Sequence, residues 1–239
     1  MYKYLLFDCD NTLLDFDQGE RNAFETLCAA FSINPLTYPV YHTHNLACWK
    51  EFEQGKLQQQ ELSVERFRRF LPHTGASVTP QQASDFFIRE LSLQGIPYPQ
   101  TKPLLTELRK RGYLLYLASN GIATVQHGRY AACGITSFFD GVFISEELGF
   151  QKPDKRFFEA IFSQTCITDP EHAVMIGDSL SSDIKGGKAA GIGTIWFDRN
   201  ETAGKPDVVP DHTITTLTDL LALLPPRSPS QPPKADSAR

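Results

Sequence analysis

No stretch of this sequence holds the roughly 18 consecutive apolar residues that a membrane-spanning helix needs, so no membrane partner is expected. A secretory signal is missing as well. Lys3 is followed by a short apolar run that ends in carboxylates, with no small-residue cleavage site. Cysteine is sparse: Cys9, Cys28, Cys48, Cys133 and Cys166 are scattered, odd in number and never spaced as CxxC. That argues against a disulfide framework and gives no zinc pattern. With no export signal they read as reduced thiols, and the expected location is the cytoplasm. Basic charge is not in excess. The 23 Lys and Arg against 28 Asp and Glu leave a net charge of −5 over 239 residues, unlike the basic footprint of a nucleic-acid binder. A small anionic ligand could still be met by a local basic patch. No internal repeat is visible, and nothing specifies an oligomeric state.

What is present is an alternation. Short apolar runs bounded by turn residues occur at Tyr4–Phe7, Leu114–Ala118, Gly141–Ile144, Ala173–Ile176 and Gly193–Phe197. Amphipathic stretches of helical length lie between most of them, chiefly Pro103–Arg111, Ile122–Ala132, Pro153–Phe162 and Asp183–Ala190. Strand alternating with helix predicts an α/β fold with a doubly wound, Rossmann-like parallel sheet. Continuous apolar strands fit a sheet covered on both faces. The region 17–94 breaks this rhythm. Ala23, Phe24, Leu27, Ala30 and Phe31 repeat at helical spacing, and helix-like stretches follow near Tyr41–Phe52, Leu62–Phe70 and Pro80–Leu93. The expectation is an all-helical insert at 17–94, returning through "GIPYPQTKP", with the core formed by 1–16 and 95–224. The Pro- and Ser-rich segment 225–239 reads as a disordered tail.

Ligands of open parallel sheets bind at the carboxyl ends of the strands, so the residues following each strand matter most. The first is followed by Asp8 and Asp10, in "LLFDCDNTLLD". The second is followed by Ser119, Asn120 and Gly121. The third leads to Lys152, with Pro153 expected to open a helix. The fourth is followed by Gly177, Asp178 and Ser179, with Asp183 at a helix start. Aspartates gathered in one place repel one another unless a cation joins them, and oxygen-only ligands suit a hard ion such as Mg²⁺. A lysine, a serine hydroxyl and the backbone N–H groups before a helix suit a phosphoryl group. Two neighbouring carboxylates can divide the work: one attacks phosphorus, and the other handles protons for the leaving oxygen and for water.

Other residues draw plainer readings. Cys9 lies between the two aspartates and should face the core, because neighbours on a strand point to opposite sides. His42 and His44 lack a third metal ligand and read as surface histidines. Tyr41, Trp49 and Phe52 could line a base-stacking wall, but packing within the insert is the simpler expectation. Asp15 and Asp17 are assigned no chemistry. "KGGKAAG" at 185–191 lacks the leading glycine and the hydroxyl residue of a phosphate loop.

"DCDNT" at 8–12, "SNG" at 119–121, Lys152 within "QKPD", and "GDSLSSD" at 177–183 resemble, in order and spacing over about residues 1–200, the four motifs of the haloacid dehalogenase-like hydrolase superfamily. The resemblance implies Asp8 as a nucleophile that becomes an aspartyl-phosphate, and Asp10 as general acid/base. It implies phosphate binding by Ser119, Asn120 and Lys152. It also implies Mg²⁺ held by Asp8, Asp178 and the Asp10 carbonyl, with Asp183 supporting the ion or its waters, and a helical cap inserted just after the first motif. The flanking residues, with "SEELGFQKPD" at 145–154, resemble the pyrimidine 5′-nucleotidase branch. The function implied is therefore a Mg²⁺-dependent phosphatase of nucleoside 5′-monophosphates. Phosphoglycolate or sugar-phosphate phosphatases and phosphomutases share the chemistry. A dehalogenase would lack the acid at position 10, and a non-catalytic phosphate-binding protein would have lost a motif residue.

Overall fold

All five apolar runs become strands of one sheet, and a sixth, shorter strand joins them at the edge. The computed structural model describes residues 2–202 and 207–227. In chain order, β1 (Tyr4–Phe7) is followed by four helices: α1 (Phe16–Phe31), α2 (Tyr38–Glu53), α3 (Gln59–Phe70) and α4 (Pro80–Ser92). Then come α5 (Thr101–Lys110), β2 (Leu114–Ser119), α6 (Ala123–Cys133), β3 (Gly141–Ile144) and the single turn α7 (Ser145–Leu148). The chain continues through α8 (Lys155–Gln164), β4 (Ala173–Gly177), α9 (Lys185–Ala189), β5 (Gly193–Phe197), β6 (His212–Ile214) and α10 (Leu220–Leu223).

Every strand pairing is parallel, in the order β3-β2-β1-β4-β5-β6. Strands are added outward from β1 to β3, and the next strand then returns to the other side of β1. The carboxyl end of β1 is thus the point where the winding reverses, the usual crevice for a ligand. Register places Phe7 beside Leu117 of β2 and Ile176 of β4. The residues after these three strands therefore meet at one edge.

Alternation along the strands builds two cores. Leu5, Phe7, Leu115, Leu117, Val174 and Ile176 pack on one side with residues of α5, α6 and α10. Leu6, Tyr116, Ala118 and Met175 pack on the other with Phe157, Phe158 and Ile161 of α8. The segment between β1 and β2 has an aromatic core of its own, with Phe24, Tyr41, Phe67, Phe70 and Phe87 fully buried. Each such ring contributes about 1.5–3 kcal/mol by burial. Local signals set the helix starts: Asp15 accepts from Gln18 N–H to begin α1, and Thr79 and Gln82 cap α4 reciprocally around Pro80.

Three details differ from the sequence reading. Pro153 does not open a helix; α8 starts at Lys155 under an Asp154 cap, and Lys152–Pro153 is a cis peptide in the preceding loop. Asp183 does not begin a regular helix either. It sits in a π-helical turn, Leu180–Ile184, that runs into α9. The expected tail does not start free at Pro225: Tyr113 donates to the Pro225 carbonyl at 2.8 Å, and Arg227 N–H to the Arg111 carbonyl at 3.0 Å. The rest of that tail, 228–239, lies outside the described residues. Among the described residues no helix is long and apolar enough to cross a membrane.

Candidate active site

Asp8 stands one residue beyond β1, its N–H bonded to the Ile176 carbonyl at 2.8 Å. The chain then turns sharply. The N–H groups of Leu13 and Leu14 both reach the Cys9 carbonyl at 2.9 Å, and Asn11 takes the left-handed conformation, at φ 58. The turn brings the Thr12 hydroxyl to 3.3 Å from Asp8 Oδ2 and 3.4 Å from Asp178 Oδ1. Cys9 points into the sheet core, as expected, where burial pushes its thiol well above the ordinary range.

Lys152 is 1% exposed, and its ammonium is completely engaged. It donates to Asp8 Oδ1 at 2.7 Å, to Asp183 Oδ1 at 2.6 Å and to the Ala118 carbonyl at 2.6 Å. Burial works against this charge, but Asp183 and Asp8 outweigh burial and hold the lysine above its ordinary pKa. The other Asp183 oxygen accepts from Ser179 N–H at 3.0 Å. Asp8, Asp178 and Asp183 offer carboxylate oxygens that all lie within 4.8 Å of one another. Burial, opposed by Lys152 and reinforced by Asp183 and Asp10, pushes Asp8 up to about 7. Burial, then Asp8 and Asp183, pushes Asp178 up to about 8. The cluster is thus short of positive charge, and a hard divalent cation on oxygen ligands fits that deficit. Gly177 makes the close packing possible, since a Cβ there would lie 2.2 Å from Asp183 Oδ2.

The expected phosphate-binding residues are brought to the same edge. Ser119 Oγ accepts from Gly121 N–H at 3.0 Å and from Gln126 Nε2 at 2.7 Å, which leaves its own proton to donate. Asn120 is adjacent, but its side chain is spent on Lys152: Nδ2 donates to the Lys152 carbonyl and Oδ1 accepts from its N–H, both at 2.8 Å. It holds the lysine loop against the end of β2.

Asp10 lies apart from this cluster. Its Oδ1 pairs with Arg129, and its Oδ2 accepts from Gln126 Nε2 at 3.1 Å. Sequence reasoning missed both partners. They sit one turn apart on α6, on the face that also carries Tyr130 and Cys133, and both are buried. A glutamine and an arginine on a core-facing stripe were the available signal.

A cavity of about 280 Å³ opens over these residues. Asp8, Asp10, Ser119, Lys152 and Asp178 line its floor, while Trp49, Phe52, Glu53 and Arg66 come from the helical segment. Contacts that tie that segment to the sheet edge include Gln151 Nε2 to the Phe52 carbonyl at 2.9 Å, Ser181 Oγ to Glu53 Oε2 at 3.3 Å, and Gln59 Nε2 to the Asn120 carbonyl at 3.4 Å. A larger, more open groove of about 780 Å³ lies alongside and holds none of the four site aspartates. Tyr41 is in the helical core, as expected, whereas Trp49 and Phe52 also face the cavity. His42 bonds to the buried Glu20 at 3.0 Å, and His44 stacks on His73.

Fold and site together define a class: an α/β enzyme with carboxylates and one lysine gathered where its parallel sheet changes winding direction. The chain belongs to the haloacid dehalogenase-like hydrolase family, whose model matches residues 2–191. It is similar to the pyrimidine 5′-nucleotidase PynA of Streptococcus pneumoniae, 39% identical over 225 residues that make up 93% of this chain and 95% of that one. The pyrimidine 5′-nucleotidase YjjG of Escherichia coli is 28% identical over 93% of this chain and 98% of its own. The crystal structure of the hydrolase YfnB from Bacillus subtilis, described as bound to magnesium and as revealing interdomain movement, matches with a TM-score of 0.87. It is 32% identical, over 93% of this chain and 98% of that one. Within the family the chain is a phosphatase.

Proposed function

We propose that the protein is a Mg²⁺-dependent phosphomonoesterase of pyrimidine nucleoside 5′-monophosphates that works through an aspartyl-phosphate on Asp8. The observation that carries the phosphoryl chemistry is the Lys152 ammonium shared between Asp8 and Asp183 beside a charge-deficient Asp178. The choice of substrate is supported by the similarity to two pyrimidine 5′-nucleotidases.

On this reading an Asp8 oxygen attacks phosphorus and the ester P–O bond breaks. Asp10 handles the protons: it delivers one to the departing nucleoside oxygen and takes one from the water that attacks the acyl phosphate. Hydrolysis returns the Asp8 carboxylate and releases inorganic phosphate. The Ser119 hydroxyl donates to the phosphoryl group, Lys152 turns toward it the ammonium proton that otherwise goes to Asp8, and the Asn120 side chain keeps Lys152 in place. Arg129 and Gln126 position Asp10. Asp8, Asp178 and the Asp10 carbonyl would hold Mg²⁺, with Asp183 standing behind as the anchor of Lys152. When bound, the ion would neutralise charge on the phosphoryl group. The helical segment 17–94 acts as a cap that covers the substrate and excludes water.

Phosphate release across nucleoside monophosphates, phosphoglycolate and sugar phosphates, with Mg²⁺ and with chelator, tests the proposal. Pyrimidine 5′-monophosphates should lead, and chelator should abolish turnover. Sugar phosphates well ahead would overturn the substrate assignment while leaving a phosphatase.

A further inference from the structure

A buried polar network in the helical segment has no part in the phosphoryl chemistry proposed above. Glu20 is fully buried; it accepts from Tyr38 Oη at 2.9 Å and Asn45 Nδ2 at 2.7 Å, and bonds to His42 Nδ1 at 3.0 Å. Asn45 passes the link on, its Oδ1 accepting from Arg66 Nη1 at 3.2 Å. Arg66 Nε donates to the Ser63 carbonyl at 3.3 Å, and the guanidinium lies 4.8 Å from the ring centre of Phe87. The second terminal nitrogen, Nη2, has no hydrogen-bond partner among the described residues. Arg66 is 1% exposed, yet it lines the same cavity as Asp8 and Lys152.

An unpaired guanidinium nitrogen in an aromatic wall is costly, and a leucine would fill that wall without the cost. The network instead fixes the arginine in one orientation, as a reading group requires. The chemistry of its partner follows from charge. Glu20 balances Arg66 through a single amide, and Glu53 adds a carboxylate to the cavity wall, so a second anion on the substrate is disfavoured. A neutral carbonyl oxygen is the matching acceptor. Trp49 and Phe52, edge to face at 5.6 Å, supply flat apolar surface in the same cavity.

We propose that Arg66 is the specificity-determining residue of this site, its guanidinium donating to a ring carbonyl of a pyrimidine base held against Trp49 and Phe52. The inference rests on the nucleotidase reading and deepens it. Adenine, which has no ring carbonyl, should be poorly accepted.

The test measures kcat/KM with Mg²⁺ for UMP, for UMP analogues lacking the O2 or the O4 carbonyl, for phenyl phosphate and for glucose 6-phosphate. It uses the parent chain, Arg66→Lys and Arg66→Gln. The preference for UMP over phenyl phosphate should fall about 10- to 100-fold in Arg66→Gln, the scale of one charged hydrogen bond. In the parent, one of the two analogues should show a loss of the same size, and Arg66→Gln should lower that analogue little further. Parallel loss on UMP and phenyl phosphate would make Arg66 merely structural. Should the variants fail to fold, the parent alone decides: indifference to both carbonyls overturns the inference. A parent that prefers sugar phosphates to UMP sinks the nucleotidase reading instead. UMP leading without regard to its carbonyls sinks only the role of Arg66.

Discussion

The Arg129 guanidinium, fully buried, is ion-paired to the Asp10 carboxylate, whose side chain is 29% exposed on the cavity floor. The two residues stand on different elements, the turn after β1 and the helix α6. Gln126 binds the other Asp10 oxygen and Ser119 together, so one helix face sets both the proposed proton-handling group and the proposed phosphate-binding hydroxyl.

Arg129→Lys should therefore lower kcat for nucleotide hydrolysis about 10- to 100-fold with KM near that of the parent, because a misplaced acid slows the chemical step more than binding. Arg129→Met should lower stability as well, by about 1–3 kcal/mol, by leaving polar groups of Asp10 and Gln126 unpaired. Steady-state kinetics and denaturant unfolding check both. An unchanged kcat in Arg129→Lys would remove the positioning role.

Metal and pH should be linked through Asp8 and Asp178. Their folded pKa values, about 7 and about 8, lie above the ordinary 3.8. Between those limits the folded chain binds more protons than the unfolded chain, so metal-free stability falls as pH rises through the window. The thermal midpoint of chelator-treated protein should drop from about pH 5 to about pH 8.5. Mg²⁺ should restore more of it at the upper pH, since binding favours the folded state when the ligands are ionised. A flat profile with no Mg²⁺ shift would contradict the assignment of this cluster to a metal.

Gly177→Ala tests how tightly the site is packed. The new methyl would lie 2.2 Å from Asp183 Oδ2, so Asp183 must move, and with it the anchor of Lys152. The variant should lose at least ~10-fold in kcat/KM and roughly 1–3 kcal/mol of stability. Parent-like kinetics would show that the position of Asp183 does not matter.

Cap and core should divide their labour. Trp49→Ala should change the ranking among phosphate esters more than it changes the inhibition constant of inorganic phosphate, because Trp49 belongs to the cavity wall and the proposed phosphate ligands Ser119 and Lys152 to the floor. Equal weakening of phosphate and of every ester would contradict this division.

Much of this arrangement is legible from residues 4–10 alone. A run apolar enough to be buried on both faces must be a central strand, and carboxylates at its end need partners. Four strand ends carrying Asp8, Ser119, Lys152 and Asp178 could be read together because a parallel sheet puts all carboxyl ends on one edge. β6 could not be read, since it has three residues and only Ile214 is buried. The roles of Arg129, Gln126 and Arg66 depend on which helix face meets the cavity, and helical periodicity alone does not say what lies opposite. Pro153 looked like a helix start because proline suits the first turn, but Asp154 supplies the cap and the helix begins after it.

The central claim is that Asp8 becomes phosphorylated during turnover. Rapid acid quenching of the full chain with Mg²⁺ and phosphate-labelled UMP, followed by peptide mapping, tests it directly. An aspartyl-phosphate on Asp8 should leave an acid-stable, base-labile label on the peptide carrying that residue, absent from a folded but inactive Asp8→Asn protein. Turnover without any such label, together with full activity in Asp8→Asn, would contradict it.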